Sequence, residues 1–275
     1  MSSMRRRVHV AVAVAGLAAL TVACGGDGGG EDGPGPFGEA GESSAAGGDD
    51  AGSGDLGTLE GLTAREISDR AQEALVSVDS VRFAMSGGSA SETMTVDLHL
   101  DRSGSCVGSM SAAGMGTAEV IMRDGEEVWM KPDAEFWRTS LGAADPELVA
   151  LLDGRYLHGT ADDPEMATMS GACALDAILD DVSQDSGTDE DLTIGETTEH
   201  DGVPAVELHA DNADGPSTML VATEGEPYPL LMTGEDNGQP MEVGLSAFNE
   251  PVEVVEPPAA HILEVADFRS GNIQA

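Results

Sequence analysis

Three cysteines have the clearest capacity for covalent chemistry in this 275-residue sequence. Cys24 stands near the N-terminus, whereas Cys106 and Cys173 stand in the middle of the chain. A thiol can carry a covalent group, act as a nucleophile or form a disulfide, and its surroundings determine which of these it does. No nucleophile motif surrounds Cys106 or Cys173, so the sequence does not favour catalysis by either residue.

The segment before Cys24 has the pattern of an export signal. Arg5, Arg6 and Arg7 form a basic start, and positions 10–22 are mostly apolar. This run of thirteen residues is shorter than the ~20 that a membrane-spanning helix needs. The pattern therefore predicts a secretory signal and not a permanent transmembrane anchor.

Positions 20–24 read LTVAC and resemble the bacterial lipobox. Ala23 and Cys24 match that motif, and Thr21 replaces its usual leucine. The resemblance implies cleavage before Cys24, a diacylglyceryl group on its sulfur, and a position on the outer face of the cytoplasmic membrane. An ordinary secretory signal followed by a chance cysteine is the alternative.

Removal of Cys24 from the count leaves Cys106 and Cys173 as an even pair. In an oxidising compartment outside the cytoplasm such a pair predicts a disulfide. The bond would close a loop of about 67 residues (173 − 106) and would stabilise the fold by ~4 kcal/mol in the chain-entropy model. Two free, buried thiols are the alternative.

Other chemical motifs are weak. The sequence contains no His-Glu-x-x-His, no P-loop and no Gly-x-Ser-x-Gly elbow. Positions 210–221 faintly resemble a calcium loop, but Ala210 and Val221 replace the acidic residues that it requires. Five histidines are scattered without metal-ligand spacing: His99, His158, His200, His209 and His261. We therefore expect no catalytic residue, no metal site and no cofactor.

The charge of the chain disfavours two classes of anionic partner. It has 12 basic and 51 acidic residues, and three of the basic residues lie in the predicted signal. The mature chain would thus carry 9 − 51 = −42 charges. Such a surface repels nucleic acid and anionic lipid head groups. A solvated acidic surface accounts for this charge, and dedicated cation binding is the alternative.

The composition divides the chain into three segments. Positions 1–23 are the predicted signal peptide, and 24–58 hold the lipidated cysteine and a Gly/Asp-rich tether. Phe37 and Leu56 are the only large apolar residues of that tether, so we expect it to be disordered. Positions 59–275 form the predicted folded domain.

The folded domain begins with a helix and continues mainly as strands. Thr63 and Glu66 form a capping-box pattern before an apolar helical face at 67–78. Apolar residues then alternate at 94–100, which predicts a half-buried strand. Further predicted strands lie at 105–111, 118–123, 127–131, 192–198, 205–210, 218–223, 230–233, 241–248 and 252–255. Predicted short helices lie at 146–152, 173–181 and 259–265. This order predicts an α+β fold with a strongly curved antiparallel sheet or open barrel.

Several stretches, taken in order, resemble the actinobacterial lipoproteins of the LppX/LprG type, whose fold is shared with LolA and LolB. The resemblance covers most of positions 59–265. It rests on VDSVRF at 78–83, VDLHLD at 96–101, CVG at 106–108, EVWMKPD at 127–133, FWR at 136–138, DGVPAV at 201–206, ATEGEPYPL at 222–230 and FNEPV at 248–252.

The resemblance implies a half-barrel with helices packed on its concave side and an apolar cavity between sheet and helices. Relatives use such a cavity for lipids, and many carry a disulfide like the pair Cys106 and Cys173. Thirteen methionines would suit a cavity that accepts variable chains, although they could equally be ordinary core residues. The candidate cavity residues are Met94, Val96, Leu98, Met122, Trp129 and Met232.

Two functions remain open at this point. The first is a membrane-anchored extracytoplasmic lipoprotein, not an enzyme, that binds or carries a lipid or other apolar ligand. The second is an envelope interaction or sensor lipoprotein with an unidentified protein partner and no ligand cavity. An open apolar cavity would favour the first, whereas a filled interior with an exposed apolar patch would favour the second.

Overall fold

A computed structural model describes residues 56–89, 92–141, 146–184, 192–212, 215–236 and 238–271. The predicted signal peptide, Cys24 and the tether as far as position 55 lie outside these residues. The helices are α1 (Ala64–Val76), α2 (Ala134–Ser140), α3 (Pro146–Leu152), α4 (Ala167–Ala172), α5 (Leu175–Gln184) and α6 (Val265–Ser270). The strands are β1 (Ser80–Gly87), β2 (Met94–Asp101), β3 (Cys106–Ala112), β4 (Gly116–Arg123), β5 (Glu127–Pro132), β6 (Tyr156–Thr160), β7 (Thr193–His200), β8 (Val203–Asn212), β9 (Gly215–Ala222), β10 (Pro229–Asp236), β11 (Gln239–Ser246) and β12 (Ile262–Glu264).

Helix α1 begins at the capping box that the sequence predicts. The Thr63 hydroxyl accepts a hydrogen bond from the Glu66 backbone N–H at 3.3 Å, and the Glu66 carboxylate accepts one from the Thr63 N–H at 2.8 Å. Together these bonds satisfy two backbone donors that a helix start would otherwise leave unpaired. The predicted apolar face is buried at Ile67, Ala71, Ala74, Leu75 and Val78.

All twelve strands belong to one open, curved sheet in the order β12-β6-β5-β4-β3-β2-β1-β11-β10-β9-β8-β7. Every neighbouring pair is antiparallel except β12 and β6, which run parallel. The register shifts between β7 and β8 and again between β9 and β10. Such irregularities bend a strand and increase its twist, so they contribute to the curvature. The α+β fold class and the curved antiparallel sheet are thereby confirmed.

The helices pack on one side of the sheet, which we call the inner face. Side chains of β1 to β5 on this face share a hydrophobic cluster with α2 to α5, including Leu100, Met122, Trp137 and Leu175. The N-terminal half of α1 forms a second cluster with β8 and β9. A disulfide joins Cys106 on β3 to Cys173 between α4 and α5, with 5.6 Å between the two Cα atoms. It ties the helical insertion to the sheet.

Residues 247–258 form a strap on the opposite, outer face. The strap follows β11, which pairs with β1. It leads to β12, which pairs with β6. The strap therefore connects the two sides of the five strands β1 to β5. Arg123 on the outer face of β4 forms an ion pair with Glu256 of the strap at 3.3 Å. Pro257 of the strap is buried.

The structure corrects several predicted elements. Positions 252–255 belong to the strap and pair with no strand, although their composition predicts one. The helix predicted at 259–265 is a 3-10 turn at Ala259–His261, then β12, then the start of α6. The helix predicted at 173–181 is α5, which begins at Leu175. Strands β1, β6 and β12 and helices α2 and α4 were absent from the predicted set.

Candidate functional site

The inner-face side chains form rows across the sheet, because paired residues of adjacent strands lie side by side. One row, at the end that carries the disulfide, contains Val81, Leu100, Cys106, Met122 and Val128. The next row contains Phe83, Leu98, Gly108, Val120 and Met130. Every residue in these rows is apolar or glycine.

Two further rows complete the inner face at the opposite end. The first contains Met110, Val96, Met85, Val243, Met232 and Met219, from six adjacent strands. The last contains Met94, Gly87 and Met241. We call this end the methionine end, and it is defined by Met85, Met94, Met110, Met219, Met232 and Met241.

Burial decreases steadily from the disulfide end to the methionine end. Leu100 is fully buried and Met122 is 3% exposed, whereas Met94 is 46% and Met241 is 37% exposed. In the row between these extremes, Met85 and Met232 are half-buried and Val243 is 8% exposed. The residues of the disulfide-end rows belong to the core cluster that includes α2 to α5, whereas Met85 and Met232 lie at the margin of that cluster. The sheet thus presents a continuous apolar face that is filled at one end and open to solvent at the other.

A turn adds one more exposed methionine to the methionine end. Met115 lies between β3 and β4, beside Gly116, and is 53% exposed. Among the described residues the exposed large apolar side chains are Met94, Met115, Met241 and Val255. Three of these four therefore share one end of the sheet. An apolar surface gathered in this way is typical of a binding surface.

The ion pairs of β1 to β5 lie on the outer face, away from the methionines. Arg82 pairs with Asp97 at 2.7 Å, and Lys131 pairs with Glu119 at 2.7 Å. Hydrogen bonds from the Arg82 guanidinium lower the pKa of the Asp97 carboxyl below its ordinary value. The inner face of these strands therefore offers apolar contact, whereas their outer face carries the charge.

Five of the six predicted cavity residues lie on the inner face, but not at one place. Leu98 and Met122 are buried in the filled part, at 1% and 3% exposure. Met94, Val96 and Met232 lie at the methionine end, where their side chains are exposed or half-buried. Only these three of the predicted set are placed to contact a ligand from solvent.

Trp129 was wrongly placed in the predicted cavity. Its cross-strand partners are Ile121 and His158, which lie on the outer face. Its ring stacks on His158 at a centroid distance of 4.9 Å, and the Arg123 guanidinium lies 5.0 Å from the ring centroid. Trp129 is 1% exposed because the outer face of this part of the sheet is itself covered. It is a structural residue beneath the layer that contains Arg123.

Four methionines of the methionine end were not among the predicted cavity residues: Met85, Met110, Met219 and Met241. Met110, Met219 and Met241 stand on predicted strands, where they alternate with the apolar residues Cys106, Val221 and Val243 of the same face. Met85 stands on β1, which was not predicted as a strand. Its alternation with Val81 and Phe83 was the available signal.

Three cavities occur elsewhere on the described surface. One lies between the β2–β3 turn and the strap, one beside Tyr228 and Phe248, and one beside Arg70 and Pro227. None of the three is lined by a residue of the methionine end. The methionine end is thus an open surface and not one of these cavities.

The described part of the chain shows neither a cluster of metal ligands nor a membrane-spanning helix. In the described ranges, no group of three or more His, Cys, Asp or Glu side chains is arranged to hold a metal ion. Within the same ranges, no helix combines the length and hydropathy needed to cross a membrane.

Comparison with known proteins gives distant structural similarities. LppX from Mycobacterium tuberculosis is 14% identical over 70% of this chain and 98% of its own, with a TM-score of 0.45. LprF from Mycobacterium bovis is 14% identical over 71% and 97%, with a TM-score of 0.46. A LolA superfamily protein from Nitrosomonas europaea is 9% identical over 72% and 96%, with a TM-score of 0.23. No family model and no curated protein sequence matches. Similarities at this level carry no functional argument.

Proposed function

We propose that this protein is a lipid-anchored extracytoplasmic lipoprotein that binds a lipid or other apolar ligand at the methionine end of its sheet. The observation that carries the proposal is the exposure of Met94, Met115 and Met241 together at that end. Exposed apolar side chains that are scattered singly are common, but three gathered at one end of a sheet are typical of a surface that a ligand or partner covers.

The side-chain type supports an apolar ligand of variable shape. Methionine is unbranched and polarizable, so a row of methionines can adapt to different chains. Val96 and Val243 stand between the methionines of the half-buried row and continue the apolar surface. Burial of apolar surface contributes roughly 25 cal/mol per Å². An alkyl chain laid across this row would therefore bind without a charged contact.

The anchor rests on the resemblance of positions 20–24 to the lipobox. Two acyl chains on Cys24 would give durable attachment to the outer face of the cytoplasmic membrane, where one chain gives only marginal binding. The test is Cys24→Ala, with the protein followed in membrane and soluble fractions. We expect the variant to leave the membrane fraction, and its retention there would contradict the anchor.

A protein-binding function is the second candidate, and the filled half of the inner face favours it. Leu98 and Met122 are packed against helices, so an acyl chain cannot reach that depth without displacing them. In this alternative the protein is an envelope interaction or sensor lipoprotein, and a partner protein covers the methionine end. The two candidates share the surface and differ in what occupies it.

Native mass spectrometry separates these candidates. Residues 25–275 are exported behind an ordinary secretory signal, so that the disulfide can form, and are purified from a lipid-rich host without detergent. We expect a co-purified apolar molecule, or uptake of added fatty acid or phospholipid with one-to-one stoichiometry. Absence of both would reject ligand binding and leave the protein-partner candidate.

A further inference from the structure

A second apolar cleft lies at the disulfide end of the sheet, where strands β7 to β11 meet their connecting turns. It has a volume of about 310 Å³. Its apolar lining includes Val203, Ala222, Tyr228, Leu230 and Phe248. Strands of this length span about 25 Å, so the cleft is well separated from the methionine end.

The chain builds this cleft with a backbone irregularity and an aromatic pair. The register of β10 shifts between Pro229 and Leu231, and Leu230 joins a cluster with Ala205, Leu220 and Ala222. Of this cluster, Ala222 and Leu230 line the cleft. Tyr228 and Phe248 stack with 4.0 Å between ring centroids and an interplanar angle of 8°.

The aromatic pair is held in place from the strap side. The Asn249 side-chain amide donates a hydrogen bond to the Tyr228 hydroxyl at 3.0 Å, and its carbonyl oxygen accepts one from the Asp79 N–H at 2.7 Å. Asn249 therefore links Tyr228, in the β9–β10 connection, to Asp79, which directly precedes β1, and so holds the aromatic stack in place. The wall of the cleft is preorganised for an apolar guest.

The rim of this apolar cleft is acidic. Asp201, Glu224 and Glu226 line it and are exposed, and the Asp201 side chain is 91% exposed. The His200 ring lies 3.8 Å from the Asp201 carboxylate. Among the described residues no Arg or Lys lines the cleft, and Arg70 lines the neighbouring cavity that shares Glu226.

We propose that this cleft binds a small cationic amphiphile, with its apolar chain between Leu230 and the Tyr228–Phe248 stack and its ammonium group at the Asp201, Glu224 and Glu226 carboxylates. The three exposed carboxylates would repel an anionic lipid, and a neutral chain would gain no electrostatic attraction from them. The volume stands at the lower limit of about 300 Å³ for small-molecule sites, which suits one short chain and not a two-chain lipid. This site is independent of the function proposed for the methionine end.

Isothermal titration calorimetry with three matched eight-carbon probes tests the proposal on residues 25–275 at low ionic strength. The probes are octyltrimethylammonium, octyl glucoside and octyl sulfate, each below its micelle concentration. We expect the cationic probe to bind at least about tenfold more tightly than the other two, which corresponds to ~1.4 kcal/mol. Equal affinities for the three probes would overturn the proposal.

Variants locate the bound probe and separate a specific site from general charge attraction. The triple variant Asp201→Asn, Glu224→Gln and Glu226→Gln should lose the preference for the cationic probe. The matched variant Glu135→Gln, Asp153→Asn and Glu242→Gln removes three exposed acidic residues elsewhere and should retain the preference. An equal loss in both would show that net charge alone attracts the probe and would overturn the site.

A filling substitution gives a test that does not depend on charge. Val203→Trp, at a half-buried position of the lining, should abolish binding of the cationic probe. If that variant is unfolded by circular dichroism, Ala222→Leu is the substitute with a smaller added volume. Binding that survives in a folded filling variant but is lost in Met94→Ser/Met241→Ser would place the probe at the methionine end and overturn the second site.

Discussion

Met94 and Met241 lie on either side of Gly87, on the two strands that flank β1. A Cβ atom built on Gly87 would lie 3.5 Å from the Met241 Cγ atom, which is van der Waals contact, so the Met241 side chain lies against the glycine backbone. Gly87 therefore places no side chain between these two exposed methionines. Met85 and Met232 stand in the next row of the inner face and are half-buried.

Replacement of the two most exposed inner-face methionines should weaken ligand binding without unfolding the protein. Met94→Ser/Met241→Ser removes apolar surface that already contacts water, so we expect the free energy of unfolding to change by less than about 1 kcal/mol. The affinity for the co-purified or added apolar ligand should fall about tenfold or more, because burial of apolar surface contributes roughly 25 cal/mol per Å² to the binding free energy and the variant removes such surface. Titration of a fluorescent fatty acid measures this change.

Val255 provides the matched control for that experiment. It is the remaining exposed large apolar side chain among the described residues, at 72% exposure, and it belongs to the strap. Val255→Ser should leave the affinity unchanged. Equal weakening by Val255→Ser and by the methionine variant would contradict a ligand site at the methionine end.

Substitution of Trp129 should affect stability and not ligand binding. Trp129→Ala removes a fully packed ring that stacks on His158, so we expect a loss of about 3–5 kcal/mol in the free energy of unfolding. Ligand affinity of the folded fraction should stay at the wild-type value because the ring lies on the outer face. Chemical denaturation with parallel titration measures both, and Trp129→Phe should lose less stability. A selective loss of affinity would return Trp129 to the ligand site.

The disulfide should contribute strongly to thermal stability. Cys106→Ser/Cys173→Ser opens a closed loop of 67 residues, which the chain-entropy model values at about 4 kcal/mol. For a domain of this size each kcal/mol corresponds to about 2–4 °C, so we expect the melting temperature to fall by roughly 8–16 °C. Reduction of the wild-type protein should reproduce that fall and add two hydrogens to the intact mass. An unchanged mass would show that the thiols are free.

Acid should weaken the attachment of α6 to the segment before α4. Arg269 forms ion pairs with Asp163 and Glu165. A backbone hydrogen bond from Thr160 lowers the pKa of Asp163 below its ordinary value of 3.8, and the Arg269 guanidinium lowers the pKa of Glu165 below 4.5. Lowered folded-state pKa values stabilise the fold above the ordinary values, and this contribution is lost as the pH falls through the lowered ones.

Denaturation between pH 7 and pH 3 tests this direction of the pH dependence of stability, with Arg269→Gln as the reference. The wild-type free energy of unfolding should exceed that of the variant at neutral pH, and the two should converge as the pH falls below 4.5. The variant removes the hydrogen bond from Arg269, which is the largest cause of the lowered pKa of Glu165. Asp163 keeps its hydrogen bond from the Thr160 backbone N–H. A difference that grows towards acid pH would contradict the assignment.

Local patterns predicted the elements whose signals are local. Thr63 and Glu66 identified the start of α1, because a capping box involves only residues three positions apart. The alternation from Met94 to Leu100 identified both a strand and its buried face. The outcome differed for β12, whose three residues take strand geometry because they pair with Tyr156, Leu157 and His158, more than a hundred positions earlier in the chain. No pattern within so short a segment contains that information.

Trp129 shows why the candidate site was only partly predictable. Val128, Trp129 and Met130 are all buried, so β5 lacks the alternation that would tell one face from the other. Both faces of this strand are covered, the inner one by helices and the outer one by the layer that includes the Arg123–Glu256 ion pair. The face of a doubly covered strand follows from its register with β4 and β6, which the sequence does not show.

Oxidation footprinting tests the central claim most directly, because it reports where an apolar ligand lies. The protein is treated briefly with dilute hydrogen peroxide, with and without saturating ligand, and sulfoxide at each methionine is measured by peptide mass spectrometry. Buried Met122, Met130 and Met166 serve as internal references that should react slowly in both samples. We predict that bound ligand slows oxidation of Met94, Met241, Met85 and Met232 by at least about threefold, a difference of ~0.65 kcal/mol. Unchanged oxidation of these four methionines at proven saturation would show that the ligand binds elsewhere and would contradict the account.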